Sequence, residues 1–204
     1  MQSLCAGWRV KDVAVHIPVD EMFTELGYVR MFAVLTRFGF SAHRLNNWWV
    51  KRNRDRPIGS IIEAYCGPFR PGGVLRRVGP EVALRGPVIH HQDMRRPLGL
   101  PRVVPEERLR ATLDVILSRQ GNANLGAFQA AQGISLRATD IDWSWGHGPE
   151  VLGPAESIMM AVAGRPNTLS ELSGPGLQTL ARGTQRSGAT SHVIDTALSA
   201  FRRQ

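Results

Sequence analysis

Cysteine, lysine and long hydrophobic runs are all scarce in this chain. Its 204 residues include two cysteines, Cys5 and Cys66, which are too few and too far apart for a disulfide scaffold or a zinc knuckle. No apolar run approaches the roughly 18 residues that a membrane span needs. The first residues also lack the apolar core of a secretory signal. We therefore expect a soluble, cytoplasmic protein with no membrane partner.

Common catalytic motifs are also missing. The chain contains no P-loop, GxGxxG, GxSxG or HExxH sequence, so phosphoryl transfer, dinucleotide binding and serine hydrolysis lose their usual support. No internal repeat is visible. With 43% hydrophobic and 21% charged residues, the composition is typical of one globular domain or two small ones with a buried core.

The charge is strongly basic, with 25 Lys and Arg against 17 Asp and Glu. Arginine dominates, which fits either an electrostatic surface for nucleic acid or the amino-acid bias of a GC-rich genome. Basic residues surround Trp48 and Trp49 in the stretch 44–56 (RLNNWWVKRNRDR). A helix that packs both tryptophans inward, with arginine stems along its flanks, is the favoured interpretation. Nucleic acid is therefore not the expected partner.

Apolar residues recur at helical spacing along most of the chain, and proline and glycine mark where the helices end. The pattern of Leu109, Leu113 and Ile116 behind an acidic first turn is the clearest example. The stretch 67–79 is rich in glycine and proline and is expected to form a loop, and a weak amphipathic pattern covers 193–201. The predicted helices span residues 8–17, 22–37, 42–54, 58–66, 87–96, 105–118, 154–163 and 168–172.

Strands are predicted only in the second half. Residues 134–142 (ISLRATDID) alternate apolar and polar side chains, as a half-buried strand does. Residues 143–148 (WSWGHG) are expected to form a hairpin turn, and 150–152 a short return strand. Asp140, Asp142 and His147 lie here beside two tryptophans and are interpreted as architecture. The sequence thus predicts an α+β fold, mainly α.

Histidine placement is the main chemical feature. His16 ends the first predicted helix and His90 lies on another, so two helices can bring imidazoles into one bundle interior. Asp93 follows His90 by three residues and shares its face. A catalytic metal site needs three such ligands and a water. The alternative is that these histidines are ordinary surface or core residues.

Three segments carry a family resemblance. They are 4–16 (LCAGWRVKDVAVH), 90–102 (HHQDMRRPLGLPR) and 138–156 (ATDIDWSWGHGPEVLGPAE). Together they resemble the mycothiol-dependent maleylpyruvate isomerase family, and the similarity covers most of the chain. It implies a DinB-like helical bundle that binds a divalent metal, usually zinc, over residues 1–120. A small C-terminal α/β domain is implied over 121–204.

The resemblance also implies a ligand set. The first ligand falls on His16 and the last on His90, but the middle position is Gly86, which has no side chain to offer. Pro87 is further expected to start a helix where the family helix is already running. Either His91 or Asp93 completes the coordination, or the chain binds metal weakly or not at all.

Related chains carry one more helix ahead of the LCxGW motif, which begins here within five residues of Met1. A bundle without that helix exposes an apolar groove. An upstream start, a homodimer that covers the groove, and a decaying copy are the three explanations.

The resemblance implies a metal-dependent isomerase or thiol transferase that uses mycothiol on a small electrophilic substrate. Arg95 and Arg96 lie one turn beyond His90, where they can pair with anions of the substrate or the thiol, or simply form a solvated helix end. The alternative is a non-catalytic relative with a degenerate metal site that acts as a binding module. Cys5 has no basic partner nearby in sequence and is interpreted as a small buried residue.

Overall fold

The computed structural model describes residues 1–17, 33–34, 36–39, 41–66, 80–100, 102–118 and 126–185. The fold is α+β, mainly helical, with one three-stranded sheet in the described part. The chain forms two compact units, Met1–Pro101 and Arg102–Gln204. The sequence prediction placed the boundary later, at residue 120. The observed division is earlier because the helix Glu106–Ile116 packs against helix Ala155–Val162 of the second unit.

The described part of the first unit contains four α-helices and one short 3-10 helix, besides the helical residues 33–34 and 36–37. A Ser41 cap begins the second helix, where its Oγ accepts a hydrogen bond from the Arg44 backbone N–H at 3.2 Å. The helices are α1 (Val10–His16), α2 (Ala42–Asn53), α3 (Ile58–Cys66) and α4 (Pro80–Arg95), followed by the 3-10 turn Arg96–Leu98.

Helix α1 packs against both α2 and α4. Its apolar face is fully buried at Val13, as is the facing Leu45 of α2. Trp8 just before α1 donates from Nε1 to Asn47 Oδ1 of α2 at 2.8 Å. These contacts hold α1, the helix that carries His16, against α2.

Helix α4 starts earlier than the sequence predicts. Proline was expected to open the helix at Pro87, whereas the helix begins at Pro80 and Pro87 lies inside it. The stretch PEVALRG ahead of Pro87 contains the helix formers Glu81, Ala83 and Leu84. The helix continues through Pro87 although an internal proline removes a hydrogen bond and crowds the carbonyl four residues earlier. His90 and Asp93 therefore lie in the last two turns of a 16-residue helix.

The inward packing predicted for both tryptophans of α2 is wrong for Trp48. Its side chain is 40% exposed and lies under Arg52, whose Cζ is 5.9 Å from the ring centroid. Trp49 is half-buried. Adjacent helix positions point about 100° apart, so one helix face does not bury both side chains.

The second unit begins with α5 (Glu106–Ile116) and α6 (Ala127–Ala130). It continues with the strands and a helix that packs on them. These are β1 (Ser135–Ala138), β2 (Ser144–Gly146), β3 (Glu150–Gly153) and α7 (Ala155–Val162), followed by the 3-10 helix Pro166–Glu171 and a helix over 177–185. The core gathers Leu113, Ile134, Leu136, Val151, Ile158, Met159 and Leu180, all with no exposed surface.

The sheet differs from the predicted hairpin. Its order is β2-β1-β3, with β2 antiparallel and β3 parallel to β1. Ser135 therefore pairs with Gly146 on one side and Glu150 on the other. Residues 144–146, predicted as a turn, are a strand, and 150–153 is not a hairpin return strand. The long strand predicted over 134–142 ends at Ala138, since 139–142 form the turn into β2.

Glycine makes this strand order possible. The chain between β2 and β3 crosses beside the start of β1. A Cβ on Gly146 would lie 2.5 Å from the Ile134 carbonyl oxygen, and one on Gly148 would overlap the Gly133 carbonyl oxygen. Both glycines have positive φ, 79° and 124°. The sequence WSWGHG therefore encodes a backbone crossing rather than a simple turn.

Polar groups of the 138–156 motif have architectural contacts. Trp143 is buried and donates from Nε1 to Asp114 Oδ1 at 3.0 Å. Asp140 Oδ1 accepts from the backbone N–H of Ala155, which opens α7, at 2.8 Å. These contacts agree with the structural role expected for this segment.

Some predictions lie wholly or partly outside the described residues. They are the loop over 67–79, the amphipathic stretch 193–201 and most of the helix 22–37, of which 33–34 and 36–37 are helical. Within the described part of the chain, no helix is long and apolar enough to cross a membrane.

Candidate metal centre

The segment ahead of α1 holds Cys5 against α4. Ser3 Oγ donates to the Trp8 carbonyl oxygen at 2.8 Å and accepts from the Cys5 backbone N–H at 3.1 Å. The Leu4 backbone N–H donates to the Asp93 carbonyl oxygen at 3.1 Å. These hydrogen bonds turn the segment back on itself and attach it to α4, the helix that carries His90 and Asp93.

Helix α4 contributes His90 and Asp93, one turn apart. His90 Nδ1 lies 2.8 Å from Asp93 Oδ2, and the Asp93 side chain has no exposed surface. A carboxylate that accepts from one ring nitrogen fixes the tautomer of the imidazole and leaves the other nitrogen as an acceptor.

Cys5 completes a three-residue group. Its Sγ lies 3.0 Å from Asp93 Oδ2 and 3.7 Å from His90 Nδ1. These three ligand atoms lie within 4.8 Å of one another, so the group can hold a metal ion. Sulfur, imidazole nitrogen and carboxylate oxygen are all zinc ligands, with bonds of about 2.0–2.3 Å.

His16 lies beside this group. Its ring centroid is 5.1 Å from that of His90, with the planes at 81°, and 4.9 Å from that of Trp8. Burial and the charge of the neighbouring His90 lower the pKa of His16 to about 3, so its imidazole is neutral at neutral pH. A neutral imidazole is the form that binds metals.

A divalent metal fits these residues. His16 Nδ1 is buried and has no hydrogen-bond partner among the described residues. An orphaned buried nitrogen costs about 1–3 kcal/mol, which a ligand would recover. The orphaned nitrogen and the mixed donor group next to it are two separate observations that favour an ion at this place.

The structure thus brings together two of the residues predicted from sequence, His90 and Asp93, and places His16 beside His90 but outside the group that can hold an ion. His91 is half-buried and is not a member of the group that can hold an ion. Gly86 lies one turn before His90 on α4, as the resemblance implies, and offers no ligand. The residue at the middle position of the implied ligand set therefore cannot bind a metal through a side chain.

Arg95 and Arg96 lie at the end of α4 and the start of the 3-10 turn, and both are half-buried. Their role toward an anionic substrate or thiol stays a prediction.

Sequence reasoning missed Cys5. It was interpreted as a small buried residue because no basic group lies near it in sequence, but its polar partners come from α4, 85 and 88 positions later. Its position directly ahead of the helix that carries His16 was the signal that pointed to the site.

Comparison with protein-family models, curated proteins and solved structures finds no match. Function must therefore be inferred from the side chains themselves and from the motifs of the sequence.

Proposed function

We propose that this protein is a metal-dependent enzyme that uses a small thiol on an electrophilic substrate. Zinc is the expected ion and mycothiol, by the resemblance of the three motifs, the expected thiol. Isomerisation and thiol transfer are the two reaction types. The observation that carries the proposal is the convergence of Cys5, His90 and Asp93 ligand atoms within 4.8 Å of one another. The proposal also includes a DinB-like bundle for the first unit and a small α/β domain for the second.

The residues of the site have separable roles. His90 and Asp93 form the rigid part, because both stand on one helix and are joined through Nδ1 and Oδ2. Trp8 and His16 pack edge-on in succession beside His90, so the imidazole of His90 has an aromatic neighbour from α1. A bound divalent ion supplies Lewis acidity, which lowers the pKa of a thiol and makes thiolate available at neutral pH.

The isomerisation needs no redox partner. The thiol first loses its proton to solvent, and its sulfur then forms a bond to one carbon of a conjugated double bond. The π electron pair of the double bond moves through the conjugated system to the carbonyl oxygen. Rotation about the resulting single bond and cleavage of the S–C bond return the thiolate and the isomerised double bond. Thiol transfer stops after addition and protonation of the carbon.

His16 separates this proposal from its alternative, a non-catalytic binding module. A closed set of four protein ligands is typical of structural zinc, whereas a catalytic ion keeps one position open. If His16 joins Cys5, His90 and Asp93, the set is closed. If His16 stays outside or exchanges with a thiol, the site can catalyse.

The test combines metal content with thiol-dependent turnover. We expect near-stoichiometric zinc by elemental mass spectrometry and loss of this zinc in His90→Ala. His16→Ala should bind zinc more weakly, because it removes the ligand that exchanges with the thiol. His147→Ala is the matched control, since His147 is exposed and belongs to the second unit. Turnover of a cis-configured conjugated keto acid should require both zinc and mycothiol. Absence of metal after zinc has been supplied would contradict the proposal. Bound zinc without thiol-dependent turnover would favour the binding module.

A further inference from the structure

We infer that the Cys5 thiolate is a direct metal ligand and supplies the donor that Gly86 lacks. This inference rests on the metal site of the proposed function, but it concerns a different question, namely which atoms hold the ion. It assigns a sulfur ligand from the segment ahead of α1 to a site whose other candidate ligands are His90 and Asp93 of α4 and the neighbouring His16 of α1. The ligand class follows: an ion that accepts sulfur, such as Zn²⁺ or Co²⁺.

The surroundings of Cys5 Sγ do not match a residue that only fills apolar space. Two polar atoms of the neighbouring helix lie close to the sulfur, Asp93 Oδ2 at 3.0 Å and His90 Nδ1 at 3.7 Å. In the metal-free protein the thiol donates a hydrogen bond to the carboxylate. A cysteine that merely packs would lie among carbon atoms.

A nucleophilic role for Cys5 agrees less well with this geometry. Reactive cysteines are activated by positive neighbours, whereas the nearest group here is a buried carboxylate. In the metal-free protein the thiol proton lies between Sγ and Oδ2, which are 3.0 Å apart. A divalent ion bound to both atoms would take the place of that proton and balance the charges of thiolate and carboxylate.

Backbone hydrogen bonds hold Cys5 in position before an ion binds. Ser3 Oγ accepts from the Cys5 backbone N–H, and the Leu4 backbone N–H is bonded to the Asp93 carbonyl oxygen. Leu4, the residue before Cys5, is thus bonded to Asp93, which also provides the carboxylate. Little chain entropy is left to lose when the ion binds.

The donor set predicts metal selectivity. A site with thiolate and imidazole favours zinc and cobalt(II), while magnesium, calcium and manganese prefer sites made of oxygen alone. A site without the sulfur, made of His90, Asp93 and His16, would discriminate less against manganese. The preference of the site for zinc over manganese therefore indicates whether the sulfur of Cys5 is a ligand.

Cobalt(II) gives a direct spectroscopic test. Thiolate ligation produces an intense sulfur-to-cobalt charge-transfer absorption in the near ultraviolet, which nitrogen and oxygen ligands do not. We expect this band when Co²⁺ is added to the full chain and to Cys66→Ser, and its absence in Cys5→Ser. Cys66 is an exposed free cysteine and serves as the matched control. Zinc affinity of Cys5→Ser should fall by about 100-fold or more, since loss of an outer-shell partner alone costs about 10–100-fold.

A second measurement needs no variant. Zinc should slow alkylation of Cys5 by iodoacetamide at least about tenfold, because a thiolate held by an ion and half-buried is a poor nucleophile. Cys66 in the same sample should react at the same rate with and without zinc, which makes it an internal reference. Peptide mass spectrometry distinguishes the two cysteines.

The outcomes separate this inference from the proposed function. Stoichiometric zinc with no charge-transfer band and no protection of Cys5 would overturn the inference and leave a metal enzyme based on histidine ligands. A band and protection without thiol-dependent turnover would support the sulfur ligand and contradict the enzyme. Failure to bind either Zn²⁺ or Co²⁺ would overturn both.

Discussion

The Asp93 carboxylate accepts a hydrogen bond from the Cys5 thiol, with 3.0 Å between Sγ and Oδ2, across 88 positions of sequence. The same oxygen lies 2.8 Å from His90 Nδ1. This buried oxygen of Asp93 thus contacts both Cys5, in the segment ahead of α1, and His90 on α4. Asp93 is therefore the residue on which the geometry of the site depends most.

Asp93→Asn tests this dependence. The amide keeps the shape of the side chain but loses the negative charge that organises His90 and Cys5. Zinc affinity should fall by about 10–100-fold, as for other carboxylates that ligate or support metal ligands. Competition with a chromophoric chelator measures the affinity. Asp142→Asn, at an exposed turn of the second unit, should leave it unchanged. An unaltered affinity in Asp93→Asn would exclude the carboxylate from the site.

Asp12 anchors the first unit in a different way. Its side chain is only 1% exposed and pairs with Arg9 at 3.2 Å and Arg54 at 3.4 Å, so it joins the start of α1 to the end of α2. Asp12→Asn should lower the free energy of unfolding by about 1–3 kcal/mol, since it weakens buried charge-assisted hydrogen bonds. Glu63→Gln on the exposed side of α3 should change it by less than about 0.5 kcal/mol. Urea titrations at neutral pH make the comparison, and equal effects of the two changes would contradict it.

The same residue predicts a pH dependence. Burial raises the pKa of Asp12, but the hydrogen bonds and charges of Arg9 and Arg54 outweigh burial and lower this pKa below its ordinary value of 3.8. A depressed folded-state pKa stabilises the protein fully above the unfolded value, and the stabilisation is lost as pH falls through the folded value. The difference in unfolding free energy between the native chain and Asp12→Asn should therefore be constant near neutrality and shrink below about pH 4. Urea titrations of both proteins at pH 7 and pH 3 measure it, and a difference that grows toward acid would be inconsistent with the pairing.

The sequence predicted those parts of the molecule that depend on local pattern. Helix α3 has the predicted bounds, and α5 lies within its predicted range, because apolar spacing and helix punctuation are local properties. His90 and Asp93 were placed on one face for the same reason. The start of α4 was wrong because one proline was taken as a boundary.

Parts that depend on long-range contacts were not predictable in this way. Alternation of side chains shows that a strand is half-buried, but it does not tell whether its neighbour is parallel or antiparallel. Hence β3 was assigned to a hairpin rather than to the parallel pair that it forms with β1. Cys5 was missed for a related reason, since its partners lie on a helix that begins 75 residues later, at Pro80.

The crossing between β2 and β3 gives the sharpest prediction for the second unit. Gly146 and Gly133 have nearly the same backbone conformation, with φ of 79° and 75°, but only at Gly146 would a Cβ meet the backbone, at 2.5 Å from the Ile134 carbonyl oxygen. A Cβ on Gly133 has nothing within 4 Å. Gly133→Ala should therefore cost only the strain of a left-handed residue, about 1–2 kcal/mol. Gly146→Ala should add about 1–3 kcal/mol of overpacking, because the crossing must move away from β1.

Urea unfolding followed by tryptophan fluorescence compares the two variants, since Trp143 and Trp145 lie directly ahead of the crossing. Equal losses in both would mean that positive φ alone explains the glycine at 146 and that the chain passes β1 at a greater distance. A larger loss in Gly146→Ala shows that the close approach itself requires glycine. In that case the glycine at 146 is required by the pairing of β2 with β1, which sets Gly146 opposite Ser135 and brings the segment that leads to β3 against the start of β1.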